Sequence, residues 1–263
     1  MSLPPDLTQA LTALTAFPRL LVAVDFDGTL APLVSDPAAA RPYPGTAQAL
    51  RDLAARPATA VAVISGRALG DLAALTGLDA PVHLVGSHGA EFDAGFAQLL
   101  DDGARELHAR LLTTLKSIVD DIAGVGLEVK PASVAVHVRN AAVDVAEQVL
   151  REVREGPAGW AGVHVTEGKS VIELAVLDTD KGAALELLRE RTEADAAVFF
   201  GDDVTDEKAF RRLRPGDVGV KVGEGESNAA FRVAEPADVL AALKFLLQER
   251  TATRNSRDPT FGE

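Results

Sequence analysis

The chain predicts an α/β fold, a doubly wound parallel sheet with an inserted α+β domain. Three features lead there. Short apolar runs recur at 20–24 (LLVAV), 59–64 (TAVAVI), 82–85 and 196–200. Such runs suit strands buried on both faces of a parallel sheet. Helical patterns follow at 45–56, 68–76 and 206–213, the strand–helix alternation of a doubly wound fold. Between 101 and 176 the rhythm changes to helix–strand–strand, twice over.

Taken in order, 20–24 is the first buried strand, 45–56 a helix, 59–64 a strand, 68–76 a helix and 82–85 a strand. A long helical pattern then covers 101–123. Strands at 127–130 and 134–139 follow, joined by a short turn containing proline, then a helix at 143–153 and strands at 163–167 and 171–175. These middle strands alternate apolar and polar residues, as antiparallel strands with one wet face do. The parallel pattern resumes at 196–200, with a weaker strand at 218–222. A closing helix at 236–249 puts Val239, Leu240, Leu243, Leu246 and Leu247 on one face, and the last dozen residues are expected to be disordered. The domain expectation is a core of 1–100 with 177–263, and an insert of 101–176.

Composition narrows the function classes. The 263 residues are 47% apolar and 25% charged, the balance of a globular protein. No apolar run approaches the roughly 18 residues that cross a bilayer, and no basic-then-apolar leader pattern opens the chain. With no cysteine, disulfides, thiolate metal sites and cysteine nucleophiles are excluded; a cytoplasmic setting is expected. The formal net charge of −13 disfavours a nucleic-acid surface, which needs many cations against phosphates. An anionic small molecule remains an expected partner, given a local positive site or a metal ion. A monomer is the default oligomeric expectation.

Four polar clusters follow predicted strand ends, where open α/β sheets bind ligands. Asp25 and Asp27, in DFDGTL, follow the first strand. Close carboxylates repel and call for a cation or a shared proton, and a hard ion such as Mg²⁺ suits oxygen ligands; an Asp-Gly turn capped by Thr29 is the plainer reading. Ser65-Gly66-Arg67 offers a hydroxyl and backbone amides to an anion, or simply a helix cap. Lys181 opens a helix and can reach a phosphate, although alone it reads as a surface lysine. GDDVTDE carries Asp202, Asp203, Asp206 and Glu207. Acids at a helix start explain the last two but not the first two. Together the clusters offer a nucleophile, a second carboxylate, a metal site and phosphate donors, the parts of metal-assisted phosphoryl transfer.

The set DFDGTL, SGR, Lys181 and GDDVTDE resembles the haloacid dehalogenase superfamily of phosphatases, and the insert resembles the cap of its sugar-phosphate branch. Within that branch, DFDGTLAPLV, GSHGAE at 86–91, Glu128-Val129-Lys130, His137-Val138-Arg139, Gly168-Lys169 and Glu173 are similar to the trehalose-6-phosphate phosphatase family. The resemblance spans roughly 20–235; it departs after Glu173, where LAVLDT stands in place of an expected proline.

The resemblance implies Mg²⁺-dependent hydrolysis of trehalose 6-phosphate. Asp25 would be the nucleophile, and Asp27 the general acid and then base. Asp25, the Asp27 backbone carbonyl and Asp202 would hold the metal, with Asp203 and Asp206 as further acids beside it. Ser65 and Lys181 would hold the phosphoryl oxygens, with Gly28, Thr29, Gly66 and Arg67 supplying donors nearby. His88 and Glu91 would meet the sugar or the cap. Glu128, Lys130, His137, Arg139, Lys169 and Glu173 would select the sugar, although a solvated sheet face also predicts polar residues there. The other expected functions are phosphatase action on another glycosyl phosphate (mannosyl- or glucosyl-3-phosphoglycerate, sucrose 6-phosphate) and a catalytically silent sugar-phosphate sensor.

Overall fold

The computed structural model describes residues 3–92, 101–130, 132–168 and 170–257. The chain divides into two compact units, Met1–Phe96 with Asp180–Glu263, and Ala97–Thr179.

In chain order the first unit opens with α1 (Pro5–Leu14), β1 (Leu20–Val24), α2 (Thr46–Ala54), β2 (Thr59–Ile64), α3 (Leu69–Thr76), β3 (Val82–Gly86) and β4 (Glu91–Phe92). The second unit holds α4 (Asp102–Val119), β5 (Gly126–Lys130), β6 (Ser133–His137), α5 (Val143–Glu155), β7 (His164–Gly168) and β8 (Val171–Ala175). The first unit resumes with α6 (Lys181–Thr192), β9 (Ala196–Gly201), α7 (Asp206–Phe210), β10 (Val218–Val222), β11 (Phe231–Val233) and α8 (Pro236–Arg257).

The main sheet runs β11-β10-β9-β1-β2-β3-β4. All pairs are parallel except β3 with β4. Successive side chains of a strand leave opposite faces, and β1 shows it. Leu20, Val22 and Val24 join a cluster with Leu7, Leu11, Leu50 and Leu243 of α1, α2 and α8. Leu21 and Ala23 join Leu185, Leu188 and Phe210 of α6 and α7. Both faces of the strand are dry, which is why its sequence is unbroken apolar. The chain winds outward from β1 to β2 and β3 on one side, and to β9 and its neighbours on the other. The carboxyl ends of β1 and β9 therefore flank the switch point where ligands bind in this architecture.

In the second unit, β5-β6-β8-β7 form an antiparallel sheet. Leu111 and Leu115 of α4 and Val149 and Val153 of α5 supply buried helix residues. No helix among the described residues is long and apolar enough to cross a membrane.

Several expected boundaries shift. The structure adds α1, β4 and β11. The closing helix runs to Arg257 rather than ending at 249, so the expected disorder of the last dozen residues is corrected for 252–257; residues 258–263 lie outside the described set. The strand expected at 134–139 ends at His137. There the Ala141 N–H donates to the Val138 carbonyl at 3.1 Å, closing a turn.

Candidate active site

Asp25 follows β1 directly, and its N–H donates to the Phe200 carbonyl of β9 at 2.9 Å. Its carboxylate is buried. Lys181 heads α6, whose start is capped by the Asp180 side chain accepting from the Ala183 N–H at 2.8 Å. The Lys181 Nζ donates to Asp25 Oδ1 at 2.7 Å and to Asp206 Oδ1 at 2.8 Å. Lys181 is only 2% exposed, so the plainer reading of it as a surface lysine is corrected: two buried carboxylates hold it inside. Asp206 turns its other oxygen to the backbone, where Oδ2 accepts from the N–H groups of Asp202 and Asp203 at 2.9 and 3.0 Å.

These contacts gather Asp25, Asp202 and Asp206 so that one oxygen from each lies within 4.8 Å of the others. Gly28 makes room for this. It sits at φ +78°, and a Cβ there would stand 2.0 Å from Asp202 Oδ2. A side chain would thus meet both backbone strain and the carboxylate itself.

The electrostatics show a surplus of negative charge. Burial pushes the Asp25 carboxyl well above its ordinary range; Lys181 opposes this and Asp206 adds to it. Burial, with Asp206 and Asp203 adding, pushes Asp202 up to about 6. Burial also raises Asp206 against the pull of Lys181. Lys181 is driven upward: burial works against its charge, but Asp25 and Asp206 outweigh that. Three acids around one ammonium leave uncompensated charge in a low-dielectric site. An all-oxygen donor set of this kind fits a hard divalent cation such as Mg²⁺. Asp206, expected as a further acid beside the metal, belongs to the cluster itself. Asp203 points elsewhere: its Oδ1 accepts from the Thr205 N–H at 2.8 Å and the Asp206 N–H at 3.3 Å, ordering the start of α7.

The second polar loop follows β2. Ser65 is buried, and its Oγ accepts from the Arg67 N–H at 3.2 Å. The His88 ring lies against Gly66, where a Cβ would meet His88 Cε1 at 2.4 Å. Arg67, expected among the phosphate donors, instead forks onto Asp27, with Nε to Oδ2 at 2.7 Å and an Nη2 to Oδ1 at 2.6 Å. The planar guanidinium matches a carboxylate in this way. Glu91, expected near the sugar, is turned inward: its oxygens accept from the Leu69 N–H at 3.2 Å and from the Ser87 hydroxyl, so here it ties the loop to α3. Thr29 Oγ1 is buried with no hydrogen-bond partner among the described residues.

In the second unit, Glu128, Lys130, Ser133, His137 and Glu173 share one sheet face through the registers Lys130↔Ser133, Glu128↔Ala135 and Ala135↔Glu173. Glu173 Oε1 accepts from Lys130 Nζ at 3.1 Å and Ser133 Oγ at 2.6 Å. Glu128 and His137 pair at 3.0 Å. Arg139 lies in the turn after β6, outside the strand expected to reach it. Lys169 lies outside the described residues. Ser133 was not among the expected residues, although its position opposite Lys130 in a hairpin was a usable signal.

The sequence profile of the trehalose-phosphatase family matches residues 23–237. The chain belongs to the trehalose-phosphatase family. Among its relatives, a trehalose-phosphate phosphatase of Mycobacterium avium (strain 104) is 40% identical over 258 residues, covering 90% of this chain and 65% of that protein. One of Mycobacterium marinum is 37% identical over 266 residues, covering 91% of this chain and again 65% of the relative. The chain thus spans just under two thirds of the length of these two relatives. Among solved structures, the C-terminal domain of C. albicans trehalose-6-phosphate phosphatase superposes with a TM-score of 0.71 at 26% identity, over 94% of this chain and 98% of that one. A trehalose-6-phosphate phosphatase from Aspergillus fumigatus gives 0.69 at 27% identity, over 94% and 99%.

Proposed function

We propose that the chain hydrolyses trehalose 6-phosphate to trehalose and phosphate through an aspartyl-phosphate on Asp25, with Mg²⁺ held by Asp25, Asp202 and the Asp27 backbone carbonyl. The reading is carried by the Asp25–Asp202–Asp206 cluster gathered around Lys181 at the switch point of the sheet. Asp25 attacks phosphorus as the bond to the sugar oxygen breaks. Asp27 gives its proton to that leaving oxygen, then takes one from the water that attacks the aspartyl-phosphate, so inorganic phosphate leaves and both carboxyls are restored. Lys181 orients the Asp25 oxygen and, with Ser65 and Thr29, faces the phosphoryl oxygens. The Arg67 fork holds Asp27 as a carboxylate, and one of its two bonds opens for that oxygen to carry the proton it gives. The bound cation supplies charge neutralisation to the phosphoryl group. Sugar selection is assigned to Glu128, Lys130, His137, Lys169 and Glu173.

Phosphate release from trehalose 6-phosphate, glucose 6-phosphate and sucrose 6-phosphate, each with Mg²⁺ and with chelator, tests this. Release from the trehalose ester is expected to be much the fastest and to stop in chelator. Equal rates on the three esters would remove the trehalose assignment, and undiminished release in chelator would remove the metal.

A further inference from the structure

Among the buried cations of the described residues, Arg189 is paired with Asp217, and Lys221 has no part in the mechanism above. Lys221 lies in β10, a strand covered on both sides by β9 and β11, and it is 5% exposed. A buried ammonium is costly unless its donors are satisfied. Its Nζ donates to two backbone carbonyls, those of Asp202 and, at 3.1 Å, Val222.

The peptide joining Asp202 to Asp203 is therefore gripped at both ends. Its oxygen accepts from the Lys221 ammonium, and its N–H donates to the Asp206 carboxylate at 3.0 Å. The preceding peptide is held too, since the Asp202 N–H donates to the same Asp206 oxygen at 2.9 Å. With both flanking peptides fixed, only side-chain torsions remain to place the Asp202 carboxylate. Gly28 leaves it space on the other side.

We propose that Lys221 is a positioning residue for the metal site: by gripping the Asp202 carbonyl from β10, it fixes the backbone that aims the Asp202 carboxylate at the cation. This rests on the reading that Asp25 and Asp202 hold a divalent ion. Lys221 touches neither substrate nor metal. Its action is of the kind by which outer groups orient ligands, where losses of about 10–100-fold in metal affinity are typical. A neutral side chain of the same length would fill the volume without holding the carbonyl, so a purely packing role and a positioning role make different predictions.

The test is calorimetric titration of Mg²⁺ into the metal-stripped full chain, with thermal unfolding in chelator as the folding check. Lys221→Met is expected to stay folded and weaken Mg²⁺ binding about 10–100-fold. Turnover should recover at high Mg²⁺ with the substrate KM unchanged. Lys221→Arg should restore most of the affinity, and Lys244→Met, on the exposed side of α8, should change nothing. A folded Lys221→Met with the wild-type isotherm overturns the proposal. If that variant does not fold, Lys221→Leu, which likewise has no donor, takes its place, with the same expected and overturning results. A wild-type chain that binds no Mg²⁺ overturns the metal reading itself, and this inference with it.

Discussion

Lys181 is the residue on which the site's charge balance turns. It joins Asp25 and Asp206, which lie 156 and 25 residues away in the chain. Removing one partner of such a buried group leaves uncompensated charge and typically costs about 3–5 kcal/mol. Lys181→Met is therefore expected to lower stability by about that amount and to lose activity, with Mg²⁺ restoring part of the melting temperature. Asp25→Asn relieves crowding among the acids, so its melting temperature should stay close to wild type, while loss of the proposed nucleophile should nearly abolish phosphate release. Unfolding measured with and without Mg²⁺ checks both; a loss below about 1 kcal/mol for Lys181→Met would contradict the bridging role. At this scale the motifs were legible because polar residues at strand ends stand out against Ala, Val and Leu. The partners were not. Lys181 looked like a surface lysine because its burial depends on a carboxylate far off in sequence. Arg67 looked like a phosphate ligand because nothing local reveals its fork onto Asp27. Lys221 carries its own signal, a lone lysine inside VGVKV: a charge in a strand buried on both faces needs a partner.

Elements matter here by bringing β1 and β9 into register, Leu20 with Ala196 through Val24 with Phe200. At the opposite end from the site, the Arg19 guanidinium binds both oxygens of Asp195, at 3.3 and 2.9 Å, and the Arg19 N–H adds a third bond at 3.0 Å. The hydrogen bond from the Arg19 side chain, with its backbone bond, lowers the Asp195 carboxyl below its ordinary 3.8. A carboxyl depressed by folding adds stability that is present above its unfolded value and fades as pH falls through the folded one. Asp195→Asn should therefore melt lower than wild type near neutral pH, and the gap should shrink once pH drops below 3.8. Melting curves across that range check it, and a gap that widens in acid would contradict the pairing. The buried strands were readable from unbroken apolar runs. The short β4 and β11 were not, because two or three residues carry no period. Helix α1 did leave a trace, with Leu7, Leu11 and Leu14 buried on one side, behind a Pro-Pro start that reads as a loop.

Across the whole molecule, the doubly wound sheet concentrates carboxylates at its switch point in a chain of net charge −13, and the inserted unit presents a separate polar sheet face. The succession of strands and helices along the chain was legible from alternating patterns, as was the insertion, because a change from continuous apolar runs to period-two strands marks a change from parallel to antiparallel pairing; the order of strands across the sheet was not. The pairing of Glu173 with both Lys130 and Ser133 was not, since it depends on β5, β6 and β8 lying side by side. What unites these levels is the claim that Asp25 is a nucleophile set beside a divalent ion. A crystal structure grown with Mg²⁺ and beryllium fluoride tests it most directly. The fluoride group is expected on an Asp25 carboxylate oxygen, with one cation about 2.0–2.1 Å from oxygens of both Asp25 and Asp202. A fluoride group on another residue, or Asp25 and Asp202 sharing no cation, would contradict it.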